Sequence, residues 1–492
     1  MNLRSTILNS LGIFILTIIG GLCGYLFRII LARNMSVAEY GLFYAMFSFL
    51  AFGAVFIDIG ITQSCAKRIV ELGIKKEHNR IRNLLFTSTA LQFLTSFTLS
   101  IIFLAFFEPL AARFFPTENK TLLILLLIWF VTLPTTMLLQ ALFLGTKNVK
   151  TYSAIDPIKT IMAALLAATF FWIGLSSAPF IAYALMNLLA LIIFAPLAYR
   201  AAPYLKGALQ FDLPAFKEVF TYGIFLTFSN LAWAIITYTD TIMITAFKGA
   251  EQVGYYQIAM PLSNTLLYIM TALNIVAYPL FTHLNAERES QRIKQGITLL
   301  YNYLFVAMIP LALVMFSYPE IVITLLFGSS FTPAADALRI LSIGAVFFSL
   351  SSFNCNLLSA TGHAKKVAYM SFLTAAINVA ANFMLIPRFG FVGAAYATLM
   401  SFMTLLLIST YQTTKTHPVK IPYLRWSLNF AIGFAVLRII GLLKEGIELN
   451  QYLEASLILI IIAPIYIALL FLLRVLTIQE IKTLLATIIS SK

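Results

Sequence analysis

Among the charged residues inside long apolar runs of the sequence, five side chains are the best placed to act on a substrate. They are Arg28, Asp58, Lys159, Asp240 and Arg339. A charge within a lipid bilayer costs several kcal/mol unless it faces a partner or a watery cavity. Cations in such a cavity can hold anionic groups, whereas carboxylates can hold a coupling ion or close a gate by pairing. The sequence therefore predicts substrate binding by the three basic residues and ion coupling or gating by the two aspartates.

Most of these charges also have an ion-pair partner nearby in the sequence. The candidate pairs are Asp156 with Lys159, Asp336 with Arg339, and Asp58 with Lys67 or Arg68. Residues three apart on a helix share a face, so the first two pairs suit local ion pairs with a purely structural role. Arg28 alternatively extends its long side chain outward to the lipid head groups.

Polar uncharged residues recur within the same apolar runs. They are Gln92, Gln140, Asn187, Asn230, Asn264, Asn274, Asn354, Asn356, Asn378 and Asn382. Some of them are expected to join helices by hydrogen bonds, which contribute about 0.6–2 kcal/mol each. A series this long also suits a cavity for a sugar head group, because sugars need many donors and acceptors.

Arg28 and Asp240 begin two copies of one pattern. The copies are residues 28–48 and 240–263. Each copy contains an intramembrane charge, a short polar link with an acidic residue, a glycine and a new apolar helix. Aligning Gly41 with Gly254 sets Arg28 beside Asp240 in the repeat. We therefore predict that the two charges face each other across a cavity between two halves of a transporter, as an outer gate.

The composition excludes a soluble protein. The chain is 61% hydrophobic and 11% charged, with a mean hydropathy of +0.92, whereas soluble domains are about 45–50% apolar and about 25% charged. Its apolar runs suit helices that cross a hydrocarbon core, and the short alternating segments of outer-membrane barrels do not occur. The prediction is an all-α polytopic membrane protein with about fourteen transmembrane helices. Their approximate ranges are 9–32, 40–65, 84–107, 121–144, 153–175, 178–199, 219–247, 255–281, 297–318, 335–360, 366–387, 391–411, 423–443 and 452–474.

The basic residues predict an orientation. With the N-terminus in the cytoplasm, twenty-three of the 33 Lys and Arg residues fall on the cytoplasmic side and six on the other. This asymmetry follows the positive-inside rule, so we expect both termini in the cytoplasm of a bacterium and the chain in its cytoplasmic (inner) membrane. It also accounts for the net charge of +14 without nucleic acid, since the basic residues lie in short loops.

The spans form two pseudo-symmetric sets. We predict an N-terminal six-helix lobe (1–200), a cytoplasmic basic linker (201–218), a C-terminal six-helix lobe (219–412), and two appended transmembrane helices with a cytoplasmic tail (413–492). Each lobe has an even number of spans, so the lobes are parallel repeats with one orientation. The loops after spans four and ten match, with Gly145 opposite Gly362.

The sequence offers no sign of catalysis. It contains no ATP-binding P-loop, no zinc-protease motif and no nucleophile elbow. Its three cysteines, Cys23, Cys65 and Cys355, lack the spacing of metal ligands. We expect no catalytic residue, no metal and no cofactor, and a transporter of the secondary type rather than an enzyme.

Several stretches together resemble a known family. They are A-E-Y-G-L-F-Y-A-M-F-S (38–48), I-D-I-G-I (57–61), Y-T-D-T-I-M-I (238–244), V-G-Y-Y-Q-I-A (253–259), the loop at Gly362, and R-F-G-F-V-G-A-A-Y-A-T (388–398). Over residues 5–415 the chain is similar to the polysaccharide-unit (O-antigen type) flippases of the multidrug/oligosaccharidyl-lipid/polysaccharide exporter superfamily. The resemblance implies two six-helix bundles around a cationic cavity, which Arg28, Lys159 and Arg339 would line. Many members have twelve spans, so the two additional ones depart from the pattern.

The expected function is that of a flippase for an undecaprenyl-diphosphate-linked oligosaccharide repeat unit, moved to the outer leaflet for lipopolysaccharide or another surface polysaccharide. The expected partners are this glycan lipid, membrane lipid, H+ or Na+, and the polysaccharide polymerase with its chain-length machinery, without nucleic acid. The alternatives are a peptidoglycan lipid II flippase and a cation-coupled multidrug antiporter of the same superfamily. A membrane-embedded glycosyltransferase or polymerase is less consistent with the short loops.

Overall fold

The structure is a computed structural model that describes residues 3–115, 119–446, 451–473 and 475. All regular elements within these residues are helices, which confirms the predicted all-α class. The predicted cytoplasmic tail lies, except for Val475, outside the described residues beyond 473.

Seventeen α-helices and two short 3-10 helices make up the described part of the chain. The α-helices are α1 (Leu3–Asn34), α2 (Val37–Asp58), α3 (Ile61–Ile74), α4 (His78–Ala105), α5 (Phe107–Phe114), α6 (Lys120–Gly145), α7 (Val149–Trp172), α8 (Ala178–Ala201), α9 (Leu213–Lys248), α10 (Ala250–Asn264), α11 (Leu267–Ala286), α12 (Ser290–Ser317), α13 (Pro319–Phe327), α14 (Ala335–Ala360), α15 (Ala364–Thr416), α16 (Tyr423–Gly446) and α17 (Gln451–Leu472). The 3-10 helices are Pro203–Lys206 and Ser329–Ala334.

The chain is a multi-pass membrane protein. Within the described residues, ten helical segments are long and apolar enough to cross a membrane, so the predicted number of fourteen is not confirmed. One of them, Val37–Ile74, joins α2 and α3, and another is the whole of α15. The predicted spans 366–387 and 391–411 both fall within α15, where Gly390 (φ 61°, ψ −139°) breaks the helical geometry.

The predicted second span, 40–65, is interrupted. α2 ends at Asp58, and both Ile59 (φ 40°) and Gly60 (φ 66°) adopt left-handed backbone conformations. Glycine tolerates this geometry, whereas for a β-branched residue such as Ile59 it is uncommon and costs energy. The break therefore holds the Asp58 carboxylate at a helix end inside an apolar segment.

The described chain forms two compact units. The first comprises Met1–Gln257 with Ser371–Ala397, and the second comprises Ile258–Met370 with Thr398–Lys492. In the first unit, α1 packs on α7, α6 packs on α3, α4 and α8, and α2 packs on α9. The predicted division into two six-helix lobes remains a prediction.

In the second unit, α14 packs on α11 and α12, and the predicted appended helices share this core because α16 packs on α12 and on α17. Buried polar groups join the helices as well. The Tyr301 hydroxyl donates to Asn354 Oδ1 at 2.8 Å, and Asn354 Nδ2 donates to Thr410 Oγ1 at 3.1 Å. Trp426 Nε1 donates to the Tyr301 carbonyl at 2.7 Å, which ties α16 to α12.

Five turns between consecutive helices share one geometry. Their left-handed residues are Lys76 (φ 58°), Lys147 (φ 61°), Gly174 (φ 83°), Arg288 (φ 60°) and Gly362 (φ 86°). In each turn the following N–H closes back onto the helix, as in a Schellman motif. Asn148 donates to the Phe143 carbonyl at 2.8 Å, and His363 donates to the Leu358 carbonyl at 2.7 Å.

This geometry corrects one detail of the predicted repeat. Lys147, not Gly145, occupies the position of Gly362, so the sequence match was off by two residues. Gly145 is instead the last residue of α6, where an added Cβ would lie 2.6 Å from the Cβ of Ile69. Glycine is required at position 145 because α3 approaches α6 closely there, and the turn itself does not need it.

Candidate functional site

Arg28 lies in α1 and is half-buried in the first unit. Its guanidinium donates to the Gln257 carbonyl at 2.9 Å and approaches Gln257 Oε1 at 3.4 Å. It also lies over the ring of Tyr44, 4.3 Å from the ring centroid, and reaches the Tyr40 hydroxyl at 3.5 Å. All of these partners are neutral. Within the described part of the chain no carboxylate lies within 4 Å of this guanidinium.

The start of α2 positions the two tyrosines. Ser36 caps α2 and exchanges hydrogen bonds with Glu39, a capping box that fixes the helix entry. Tyr40 and Tyr44 follow on one face, four residues apart, and both are buried. The acidic residue that was prominent in the sequence repeat therefore acts as a helix cap here.

The two glycines used to align the repeat lie against each other. A Cβ added at Gly41 would overlap the Ala250 carbonyl and lie 2.7 Å from the Gly254 nitrogen. A Cβ added at Gly254 would overlap the Val37 carbonyl. The starts of α2 and α10 thus meet backbone to backbone, a close approach that only small residues allow.

Asp240 lies in α9 with 1% of its surface exposed. Its carboxylate accepts a hydrogen bond from the Tyr256 hydroxyl, and Asn382 Nδ2 donates to it at 2.6 Å. The same Nδ2 donates to Asn378 Oδ1 at 3.1 Å. The charge is thus taken up by buried polar groups of α10 and α15, as a buried carboxylate requires.

Arg28 and Asp240 bind neighbouring residues of α10, namely Gln257 and Tyr256. Gln257 Nε2 also donates to the hydroxyl of Thr241, the residue after Asp240, at 2.7 Å. The structure thus places the two charges of the repeat in one polar network. Sequence reasoning missed Tyr256 and Gln257, although both lie directly after the aligned glycine.

Asp58 forms contacts within its own helix pair and with α4. Its Oδ1 accepts from the Thr62 N–H at 2.9 Å, from the Thr62 hydroxyl at 2.5 Å and from Gln92 Nε2 at 3.3 Å. Arg68, a predicted partner of Asp58, instead pairs with Glu71 at 2.8 Å and with Glu218 at 2.5 Å. Asp58 also lines a cavity of about 300 Å³ beside α9.

Lys159 forms the local ion pair that its spacing suggested. Its Nζ lies 3.4 Å from Asp156 Oδ1 on α7, and Gln140 Nε2 donates to the other oxygen of the same carboxylate at 3.1 Å. Lys159 belongs to the first unit with Arg28, Asp58 and Asp240. Its positive charge is already balanced by a carboxylate in this conformation.

Arg339 lies in the second unit and is paired twice. It contacts Asp336 Oδ1 at 3.0 Å and also the Glu320 carboxylate of α13. Only the first of these partners was evident from sequence spacing, because Glu320 comes from a different helix. Of the three basic residues predicted to bind substrate, Arg28 is thus the one with only neutral partners among the described residues.

Comparison with known proteins identifies the family. A model described as polysaccharide biosynthesis protein matches residues 7–285, more than half of the chain. The chain belongs to this family. A second model, MatE, matches residues 226–384.

Relatives and solved structures agree with this family. The chain is 23% identical over 422 residues to the probable low-salt glycan biosynthesis flippase Agl15 of Haloferax volcanii, covering 84% of this chain and 85% of the relative. It is 21% identical over 374 residues to a putative O-antigen transporter of Shigella flexneri, covering 74% and 87%. The fold resembles the lipid II flippase MurJ in its inward closed conformation, with a TM-score of 0.72 and 15% identity, over 92% of this chain and 98% of that one.

These findings confirm the resemblance to the multidrug/oligosaccharidyl-lipid/polysaccharide exporter superfamily. The prediction of a transporter rather than an enzyme is confirmed by the family of this chain and by its structural neighbours. The roles of Arg28, Asp58, Lys159, Asp240 and Arg339 stay predictions.

Proposed function

We propose that this chain is a flippase that moves an undecaprenyl-diphosphate-linked oligosaccharide repeat unit from the cytoplasmic to the outer leaflet of a bacterial cytoplasmic membrane, for synthesis of a surface polysaccharide such as an O antigen. The names of the Shigella and Haloferax relatives support a glycan substrate. The polymerase and chain-length machinery would then use the delivered unit. Both termini remain on the cytoplasmic side in this proposal.

Arg28 carries the proposal for a diphosphate head group. Its guanidinium touches Gln257, Tyr40 and Tyr44, which leaves its charge without a carboxylate among the described residues. A phosphate supplies the opposite charge and forms charge-assisted, bidentate hydrogen bonds with arginine. Lys159 and Arg339 would have to exchange their present carboxylate partners for the substrate.

The substrate has a polar head group and an apolar isoprenoid tail, and transport must provide a different environment for each. A diphosphate and several sugars cannot enter hydrocarbon unaided, because their polar groups would lose water without replacement. A cationic, hydrogen-bonding cavity replaces that water for the head group while the isoprenoid tail stays in lipid. Rocking of two lobes would expose the cavity to each side of the membrane in turn.

Deletion of the gene tests this function. In a strain without a second flippase, we expect the lipid-linked oligosaccharide to accumulate on the inner leaflet and surface polysaccharide to be lost. The wild-type chain should restore surface polysaccharide, and Arg28→Gln should not, although it reaches the membrane in equal amount. Arg33→Gln, at an exposed arginine of the same helix, is the matched control. Normal surface polysaccharide after clean deletion would contradict the proposal.

Asp240 is the proposed site of ion coupling, with H+ or Na+ as the ion. Its carboxylate lies with the amides of Asn378 and Asn382, and Asn382 Oδ1 is buried without a hydrogen-bond partner in the described structure. Carboxylate and amide oxygens suit a hard cation, and the carboxylate alone suits a proton. In proteoliposomes, a pH gradient or a Na+ gradient should accelerate flipping by wild type. Asp240→Asn should abolish the acceleration and retain flipping without a gradient.

Two other substrates, an organic cation and lipid II, are distinguished from the glycan lipid by separate experiments. The match of residues 226–384 to the MatE model and the buried Asp240 favour a cation-coupled drug antiporter as the second candidate. Gradient-driven export of an organic cation, without flipping of glycan lipid, would establish it. The fold resembles that of MurJ, so lipid II is the other candidate substrate. Rescue of cells that are depleted of their lipid II flippase would test it.

A further inference from the structure

We propose that the cavity between α2 and α9 binds one sugar ring of the transported glycan, with Asp58 and Trp233 as its principal contacts. This inference rests on the proposed function and assigns the sugar part of the substrate to a site distinct from the arginine that attracts the diphosphate. The cavity lies wholly within the first unit.

The dimensions of the cavity suit a single ring. Its volume is about 300 Å³, at the lower end of the range for small-molecule sites. Water occupies roughly 30 Å³ per molecule in the liquid, so the cavity has room for about ten waters. A single sugar ring with its hydroxyl groups fills a similar volume. Asp58, Thr227, Thr237 and Tyr238 supply its polar lining.

The lining is rich in hydrogen-bond acceptors. All three contacts of the Asp58 carboxylate within the described structure go to Oδ1, which leaves Oδ2 to accept from a ligand. The Thr227 hydroxyl donates to the Gly223 carbonyl at 3.0 Å, and the Thr237 hydroxyl donates to its own helix at 2.9 Å. Both hydroxyl oxygens therefore offer lone pairs to the cavity, and a ligand with several O–H donors fits them.

Trp233 adds the apolar surface that a sugar ring needs. Its side chain lines the cavity and is 51% exposed, although it lies in an apolar helix. A sugar ring has one face of C–H groups beside its hydroxyl edge, so it can cover an indole face while its hydroxyls reach Asp58. Carboxylates and aromatic rings together are typical of such recognition of polar, uncharged ligands.

The sign of the charge separates this site from the diphosphate site. A carboxylate repels a diphosphate, whereas Arg28 attracts it. These charges orient the head group, with its diphosphate toward Arg28 and a sugar toward Asp58. Asp58 is also held rigidly, because it accepts from the Thr62 N–H at 2.9 Å across the break between α2 and α3.

Binding measurements in nanodiscs test the inference. The probes are the lipid-linked oligosaccharide extracted from the deletion strain and undecaprenyl diphosphate without sugar. Asp58→Asn keeps an acceptor for Thr62 but loses the charge, and we expect it to weaken binding of the glycan lipid by about tenfold, as for the loss of one hydrogen bond to a charged group. Binding of undecaprenyl diphosphate should change by less than about twofold. Trp233→Ala should show the same selectivity.

Two controls match these variants. Glu108→Gln removes an exposed carboxylate elsewhere, and Trp172→Ala removes a tryptophan that is 87% exposed. Neither should affect the glycan lipid selectively. Gel filtration of each variant identifies any loss of folding, and Asp58→Glu, which restores the charge, should recover part of the affinity.

The outcomes separate the two proposals. If wild type binds neither probe, the proposed function fails. If wild type binds the glycan lipid and the Asp58 and Trp233 variants bind it equally well, or lose both probes equally, only the sugar site is wrong. Displacement of the glycan lipid by a quaternary ammonium compound in wild type but not in Asp58→Asn would assign the cavity to organic cations and overturn the inference.

Discussion

Arg28 and Asp240 are joined through adjacent residues of α10. The Arg28 guanidinium donates to the Gln257 carbonyl at 2.9 Å, and the Asp240 carboxylate accepts from the Tyr256 hydroxyl. We predict that a change of charge at one residue affects the other through this turn of α10. This arrangement gives the predicted outer gate a physical basis, because an anionic head group at Arg28 would compete with Gln257 for the guanidinium.

Gln257 should control the affinity of Arg28 for phosphate. Gln257→Glu places a negative charge at the position of an amide oxygen that lies 3.4 Å from the guanidinium. We expect it to weaken binding of undecaprenyl diphosphate by about tenfold or more, since the new carboxylate pairs with the arginine. Gln257→Met, which is neutral and similar in size, should change binding by less than about threefold. Equal effects of the two variants would show that charge at this position is unimportant.

Cross-linking tests the predicted gate directly. In a chain whose native cysteines (Cys23, Cys65 and Cys355) are replaced, cysteines at positions 28 and 240 should be joined by a short bifunctional reagent in at least one conformation. A pair at positions 33 and 240 serves as the control. The gate is wrong if positions 28 and 240 fail to react in every condition that is tested.

The close approach of α2 and α10 predicts strong sensitivity at two glycines. Gly41→Ala and Gly254→Ala should each lower the free energy of unfolding by about 1–3 kcal/mol, because the added methyl group meets backbone atoms that cannot move independently. Gly73→Ala is the control, since a Cβ there has open space, and it should be neutral or stabilising by up to about 1 kcal/mol. Thermal unfolding in detergent measures all three. Equal behaviour at Gly41 and Gly73 would contradict the packing.

The sequence predicted elements and pairings that depend on local spacing. Hydropathy predicted helices, and the three-residue spacing predicted the pairs Asp156–Lys159 and Asp336–Arg339. It did not predict Glu320 beside Arg339, because that contact joins two different helices. Periodicity carries information along one helix, whereas contacts between helices depend on how their faces are rotated in the fold.

The turn after α6 shows a second limit of sequence reasoning. The similarity of the loops after spans four and ten sets Gly145 opposite Gly362 in the sequence. In the structure the left-handed residue is Lys147. Its Cβ makes this backbone conformation unfavourable by about 1–2 kcal/mol. Basic residues also occupy this position in two other turns, at Lys76 and Arg288. A positive charge near the C-terminus of a helix interacts favourably with the helix dipole, and this interaction offsets part of the backbone strain.

Glycine at these turns should therefore stabilise the fold. Lys147→Gly and Arg288→Gly should each raise the free energy of unfolding by up to about 1 kcal/mol, because glycine adopts positive φ without a steric penalty. Gly362→Ala should lower it by about 1–2 kcal/mol, since its φ of 86° is unfavourable for alanine. Thermal unfolding at neutral pH checks the signs. Destabilisation by both glycine variants would show that the basic side chains matter more than the backbone.

His417 should make stability depend on pH. It lies just beyond α15, and its Nε2 is 3.2 Å from the Thr361 hydroxyl. Burial lowers the pKa of His417, and the nearby His363, Lys294 and Lys366 lower it further. The folded chain therefore favours neutral His417, so its contribution to stability is fully present above the unfolded pKa of about 6.5. That contribution is lost as the pH falls through the lower, folded pKa.

The midpoint of thermal unfolding should consequently fall for wild type between pH 7.5 and pH 5. His417→Gln keeps a hydrogen-bonding side chain without a titrating group, so its midpoint should fall less over the same range. His283→Gln, at an exposed histidine of α11, should retain the wild-type pH dependence. Parallel curves for wild type and His417→Gln would mean that other groups dominate, because removing the half-buried imidazole would then leave the proton balance of unfolding unchanged.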